Sequence, residues 1–397
     1  MTMDAGGTTL ARLARAKPPS PLMVAMAITV LHGAYSLWLG VLMAPDSGNY
    51  AYWSERLLDS GFAYGPLLAE AKVGFPAAPY ALFATLLALL RLAFGEGWPT
   101  ALVALNFAAH VGLGLGLVLL AHRLTGSGAA AWGALLLFLG CHDLLQWVSY
   151  VLADATFTLL AFVTFLLASK RILGEARSWL GVALPTMPGI FYRPTGIVLV
   201  PAVVLAWMLS RKPRIILRRG SVIGMTTVAA IAAAVSFAWL VQDPNRWPIG
   251  IFSNAFDIVG NGYRDGEVVN GRLETYHAPP SALSDYVLIS LDRFGHFFAV
   301  GAAGYSPAHW LVSASFLLPC YALAGWLLLA IWRGKTSFSM QQRKVFILAA
   351  GAILAFAAFH ALVQVDFDWR YRTPILPHLI LLSAGGIADL LRRVPDR

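Results

Sequence analysis

Three stretches of this chain, 22–43, 222–241 and 345–365, each run for about 20 residues without an Asp, Glu, Lys or Arg. A hydrocarbon core about 30 Å thick takes about 20 helical residues to cross. Backbone inside lipid must pair its own N–H and C=O groups, which a helix does within one segment. These runs predict an all-α protein that crosses the bilayer many times. Composition agrees: 12% of the residues are charged, against roughly 25% in soluble domains. Cys141 and Cys320 both fall in apolar runs, so neither a disulfide framework nor a cysteine metal site is indicated. Arg12, Arg15 and Lys17 precede a first apolar run too long for a signal-peptide core, with no small-residue cleavage site after it. That run reads as a retained first helix.

The net charge of +9 is placed in a way that excludes nucleic acid as its partner. Lys and Arg gather in short loops between apolar runs, the positive-inside pattern. By that rule the N-terminus, the loops 170–177, 211–219 and 333–344, and a tail with Arg392, Arg393 and Arg397 are cytoplasmic. A parity conflict follows, because four apolar runs before residue 150 would put Lys170, Arg171 and Arg177 outside. The stretch 76–94, entered through Lys72 and Pro76 and broken by Pro79, is the segment expected to lie along the outer interface instead. Ten crossings remain, at about 22–43, 99–121, 129–147, 150–169, 178–192, 195–210, 221–241, 308–332, 345–364 and 374–391. Both termini are then cytoplasmic. The whole chain, 1–397, reads as a single transmembrane catalytic domain with no soluble C-terminal domain. Its long outer loops are 44–98 and 242–307, and 285–304 within the second is expected along the interface. Long loops in compact proteins usually carry function, so the chemistry is expected outside.

Four groups of polar residues fall on that side. Pro45-Asp46-Ser47-Gly48-Asn49-Tyr50 follows the first helix. Asp46 there is placed for a general base, with an amphipathic stretch carrying Tyr50 and Trp53 to hold lipid beside it. The plain alternative is a helix cap by Asp46 or Ser47. Asp154 lies about one turn inside an apolar span, an expensive position for an acid and one that points to function. A structural ion pair with Arg193 or Arg370 is the alternative. Asp46, His142 and Asp154 could together bind a divalent cation, although their spacing matches no recognised metal signature. Asp366-Phe-Asp368-Trp369-Arg370-Tyr371-Arg372-Thr-Pro374 interleaves acids, arginines and aromatics where the chain re-enters the membrane. Outward arginines are explained by an anionic ligand such as phosphate, or by an interfacial anchor with internal Asp–Arg pairs. Arg193, in Tyr192-Arg-Pro-Thr-Gly196, sits at a tight turn between two short spans and is expected to point into a water-accessible cavity. With Lys72 these groups suggest a phosphate-linked lipid donor and an acid–base reaction.

In order and spacing the motifs resemble the GT-C superfamily of membrane glycosyltransferases. The nearest likeness is to the branch of protein O-mannosyltransferases and the aminoarabinose transferase of lipid A. Five motifs carry it: Pro45-Asp46-Ser47-x-x-Tyr50, Gly74-Phe-Pro-Ala-Ala-Pro79, Ser149-Tyr-Val-Leu-Ala-Asp154, Tyr192-Arg-Pro-Thr-Gly196 and Arg370-Tyr-Arg-x-Pro374-x-x-Pro377. The resemblance implies a GT-C-like helix bundle with juxtamembrane helices in its first outer loop. It also implies transfer of a sugar from a polyprenyl-phosphate donor to a glycan, lipid or protein acceptor on the non-cytoplasmic face. By position Asp46 looks like the catalytic base and Asp154 like a second acid, with Lys72, Arg193, Arg370 and Arg372 as candidate donor-phosphate contacts. Tyr50, Trp53, Trp369 and Tyr371 are the expected substrate or lipid contacts. A divalent metal is possible, and a bacterial inner membrane is the expected location. Departures exist: Ser47 stands where many relatives carry a second acid, and the proline pair is spread to Pro76 and Pro79. A lipid or glycan transporter is the rival, but it would carry its charges near the midplane in two repeated halves. A non-catalytic subunit of a glycan-assembly complex is another.

Overall fold

The computed structural model describes residues 16–65, 71–72, 75–76, 78–176, 178–211 and 263–393, with backbone alone for 71–78. The expected crossing at 221–241, the Lys72 side chain, Arg12, Arg15, Arg177, most of the loop 211–219, Arg397 and the first part of the loop 242–307 lie outside the described residues. The rest is helical apart from a two-residue antiparallel ladder, Ala71–Lys72 with Phe75–Pro76. The helices are α1 (Pro21–Leu39), α2 (Ser47–Asp59), α3 (Ala81–Phe94), α4 (Trp98–Thr125), α5 (Gly128–Leu139), α6 (Asp154–Ile172), α7 (Leu180–Ile190), α8 (Leu199–Ser210), α9 (Leu283–Phe297), α10 (Pro307–Trp332), α11 (Met340–Leu362) and α12 (Leu376–Leu391).

Their starts follow from local chemistry. Ser20, Ser127, Ser306 and Ser339 each accept a backbone N–H of the first turn, satisfying a donor that no helical carbonyl can reach. Pro21 and Pro307 follow two of them at the first helical position, where the missing N–H costs nothing.

Among the described residues six helical stretches are long and apolar enough to cross a membrane: α1, the run Ala81–Thr125, α6, α10, α11, and Arg370–Leu391, which contains α12. A seventh arises if α5 and the segment His142–Ser149 count as one span, although the two meet at 62°. The straight crossing expected over 129–147 is therefore bent. α7 and the helical stretch Pro194–Ser210, which fall on the stretches 178–192 and 195–210, are apolar but shorter.

The basic loops converge on one end of the bundle. Arg123 pairs with Glu175 at 2.6 Å, Gln342 donates to Leu124 O at 2.6 Å, and Arg392 donates to Thr125 O. Lys344 reaches Arg211 O at 3.3 Å. Sequence placed these loops on one side from charge alone, and the contacts bring them together.

At the opposite end α2 and α3 pack on each other and on the start of α4. Tyr50, Trp53, Leu57, Tyr80, Phe83, Leu87, Trp98 and Leu102 form a buried cluster separate from the main core. α3 has 14 residues, about 21 Å of helix and short of a crossing. Gly95 ends it at φ +53°, a conformation open chiefly to glycine. α9 carries an apolar stripe of Leu283, Val287, Leu288 and Leu291, all exposed. Its other face inserts Arg293, fully buried, which donates to Glu267 O and to Val363 O at 2.6 Å. The guanidinium thereby serves carbonyls that the end of α11 leaves open.

α12 is the central helix, buried against α4, α5, α10 and α11. A Cβ on Gly386 would lie 2.4 Å from Leu323 O of α10. Only glycine lets the two backbones meet so closely, the usual device in lipid where burial adds little. Gly386→Val is expected to destabilise by about 1–3 kcal/mol through overpacking, read as earlier thermal unfolding in detergent.

Candidate functional site

Asp46 is brought to its place by a short backbone zipper. Leu42 N–H donates to Ser149 O and Val151 N–H to Leu42 O, both at 2.9 Å. Ser47 tightens the joint, its Oγ accepting from Ala44 N at 2.9 Å and donating to Val151 O at 2.8 Å. These bonds tie the segment after α1 to the segment that opens α6, so Asp46 and Asp154 share one neighbourhood. Asp46 stands at the N-cap of α2 yet makes no capping hydrogen bond. Its carboxylate meets Arg370 instead, Oδ2 to Nη1 at 2.9 Å, and is partly open to solvent.

Arg370 has a second acid, with Asp366 Oδ2 3.2 Å from its Nε. That Nε is buried and finds no aligned acceptor among the described residues, which leaves it a donor to offer. Asp154 opens α6 and is spent on Arg193; both side chains are almost fully buried and form a short ion pair. Arg193 follows the turn after α7, where Gly196 passes so close to Gly189 O that a Cβ would collide with it. The two guanidiniums lie over the Tyr371 ring, 5.4 Å for Arg370 and 5.9 Å for Arg193. Tyr50 and Tyr80 close the cluster from the α2–α3 side, each within electrostatic reach of Asp46, Arg193 and Arg370. Burial, reinforced by neighbouring phenols and Asp46, pushes both phenols up, so their hydroxyls stay protonated. Tyr80 was not among the sequence candidates, because a tyrosine at the entry to an apolar helix carries no signal of its own.

The neighbouring arginine goes elsewhere. Arg372 is buried, pairs with Asp143 at 2.6 Å and donates to Ala299 O at 2.6 Å. The divergence comes from Trp369, whose φ of +55° is unusual for a non-glycine residue and costs of order 1–3 kcal/mol. Its indole Nε1–H donates to His296 O at 2.6 Å, and Asp368 Oδ1 accepts from Arg370 N–H at 3.1 Å. Arg372 as placed braces the fold rather than facing the Asp46 cluster.

Two of the expected lipid contacts are corrected. Trp53 and Trp369 have relative exposures of 0% and 2% and pack inside the protein. Trp53 stacks on Tyr80 at 5.8 Å, and Trp369 meets Tyr305 at 5.5 Å. Amphipathic spacing is satisfied equally by a protein core and by a lipid surface, and α3 covers the face that lipid was expected to hold. Tyr50 is buried in the same aromatic cluster, while Tyr371 lines the cluster of charges. His142 sits on the Tyr35 hydroxyl at 3.2 Å. No group of three or more His, Cys, Asp or Glu among the described residues could hold a metal ion, so Asp46, His142 and Asp154 are not assembled as ligands. Both cysteines are buried and free.

Asp366 and Asp368 lie outside the long apolar helices and hydrogen-bond to each other. Burial, with the neighbouring Asp366 charge, pushes the Asp368 carboxyl up to about 7. The folded protein therefore holds a proton that the unfolded chain releases near pH 4. The stability this contributes is present in acid and is lost as pH rises through about 7. Thermal unfolding temperature is expected to fall between about pH 4 and about pH 7, and Asp368→Asn to flatten that slope.

No family model, no curated protein and no solved structure matches this chain.

Proposed function

We propose that this chain is a membrane glycosyltransferase that moves a sugar from a polyprenyl-phosphate donor to an acceptor hydroxyl. The observation that carries the reading is the placing of Asp46. It is an acid free of the helix-cap role, opening the first loop helix, held on a guanidinium that has a donor to spare, beside the buried Asp154–Arg193 pair. The resemblance of the five motifs to the GT-C superfamily supports it. So does the separation of this cluster from the end where the basic loops meet.

In this reading the donor phosphate displaces Asp46 from Arg370, and the arginine exchanges one anion for another. Asp46, released, takes the proton of the acceptor hydroxyl as its oxygen attacks the anomeric carbon. The bond from that carbon to the phosphate oxygen breaks, and polyprenyl phosphate leaves with the electron pair. Arg370 holds the growing negative charge, with Lys72 the second cation that the resemblance assigns to the phosphate. Arg193 stays paired with Asp154 beside them and keeps the local charge balanced.

The finer topology belongs to the same proposal. The proposal counts α7, Pro194–Ser210 and 221–241, the last outside the described residues, among ten crossings, and lays α2, α3 and α9 along the outer surface. Both termini are then cytoplasmic and the site faces the periplasm of a bacterial inner membrane. The test is release of polyprenyl phosphate by purified protein given a panel of labelled polyprenyl-phosphate hexoses and pentoses with candidate acceptors. Turnover of one donor supports the reading. Donors left intact across the panel, with lipid and sugar fates both followed, overturn it.

A further inference from the structure

One buried histidine beside the charged cluster has no part in the steps above. His360, near the end of α11, is 1% exposed. Its ring lies parallel to two others, 5.5 Å from Phe297 and 4.5 Å from Tyr371, at 12° and 14°. Tyr371 is the ring over which both Arg193 and Arg370 lie, and both guanidiniums act electrostatically on the imidazole itself. His360 therefore shares the Tyr371 ring with the Asp46–Arg370 cluster.

Its two nitrogens are used unequally. Nδ1 lies 3.2 Å from Gln364 O. A carbonyl oxygen can only accept, so Nδ1 carries the proton and Nε2 is a bare acceptor. That Nε2 is closed to solvent and has no hydrogen-bond partner among the described residues. A buried acceptor left open weakens the fold unless something fills it, and a purely packing residue at this place would be better as phenylalanine. A second carbonyl could not fill it, and no group around it could complete a metal site among the described residues. What the atom lacks is a donated O–H or N–H.

We infer that His360 is a sugar-contacting residue: its Nε2 accepts a hydroxyl of the donor's sugar ring when the phosphate is held at Arg370. The inference rests on the polyprenyl-phosphate reading and sharpens it by naming the group that recognises the sugar rather than the phosphate. Phe297 and Tyr371 fix the ring plane and Gln364 fixes the tautomer, so the acceptor is ready before the ligand arrives. A site built to bind a hydroxyl discriminates strongly against ligands without it, because its own polar atom is then left unpaired.

Binding of the panel's preferred polyprenyl-phosphate sugar is compared with binding of bare polyprenyl phosphate in detergent, for wild type, His360→Phe and His360→Gln. Phenylalanine keeps the stack and removes the acceptor; glutamine returns an amide oxygen near the place of Nε2. Wild type is expected to prefer the sugar-bearing lipid, and His360→Phe to lose about tenfold to hundredfold of that preference. Affinity for bare polyprenyl phosphate stays unchanged, thermal stability is equal or higher, and His360→Gln recovers part of the loss. A discrimination kept intact in His360→Phe overturns the inference alone. A loss that extends equally to bare polyprenyl phosphate overturns it too, as a structural effect. A wild type that binds neither lipid overturns the parent reading, and this inference with it.

Discussion

Asp46→Asn is expected to lower sugar transfer by about 10²–10⁴-fold, the range removed with a general base, while donor binding persists or tightens. The direction of the binding change follows from the ion pair. In the proposed reaction Asp46, 2.9 Å from Arg370, competes with the donor phosphate for that guanidinium, and the neutral amide competes less. Loss of turnover together with retained donor affinity separates a chemical role from a collapsed site. The structure also limits damage, because Asp46 makes no cap hydrogen bond for asparagine to disturb, and asparagine is itself a good cap. Near-normal turnover in the variant, measured with saturating donor, would remove Asp46 from the base role.

The second large effect is on stability and holds whatever the reaction is. Arg193→Ala leaves the Asp154 carboxylate, 2% exposed, inside the bundle without its partner. Breaking a buried pair by removing one member costs about 3–5 kcal/mol, because an uncompensated charge remains. Replacing both members by apolar residues of similar volume removes the charge as well as the attraction, and is often near neutral. Arg193→Met is therefore expected to unfold at markedly lower temperature in detergent, and Arg193→Met with Asp154→Leu to recover most of the loss. If the double variant is as unstable as the single, the pair does more than neutralise itself, and its links to Arg370 and Tyr371 become the next suspects.

Much of the architecture was legible because lipid leaves few choices. Apolar runs of sufficient length become helices, and serines before them become caps. The basic loops at 170–177 and 333–344 were grouped by charge, and Arg123, Gln342 and Arg392 tie their neighbourhoods together. The stretch 76–94 was singled out by parity, and its helical part is the 14-residue Ala81–Phe94, packed on Ser47–Asp59.

The partners of the charged residues were a different matter. Asp154 had Arg193 and Arg370 as possible partners, 39 and 216 positions away, and no periodicity chooses between them. The turn at Gly196 and the zipper at Leu42 decide it by bringing Arg193 to Asp154 and Asp46 to Arg370. Arg370 and Arg372 looked equivalent, spaced two apart in a polar run. The left-handed backbone at Trp369 sends them to different acids. Trp53 was misplaced because an aromatic on an amphipathic helix fits lipid and protein alike, and only the neighbouring helix shows which it meets; Trp369, in the turn before Arg370–Ile375, hydrogen-bonds inward to His296 O.

By itself the sequence determined that this chain is a many-helix membrane protein with its basic loops gathered at one end. Segment hydrophobicity and loop charge are local properties, and the bilayer reads them locally. Only the tertiary structure decided which acid meets which arginine, which aromatics are walls rather than lipid contacts, and that His360 keeps an unfilled acceptor beside them. Those outcomes depend on approaches of a few ångströms between residues far apart in the chain, where hydrogen-bond and ion-pair energies change steeply with distance and angle.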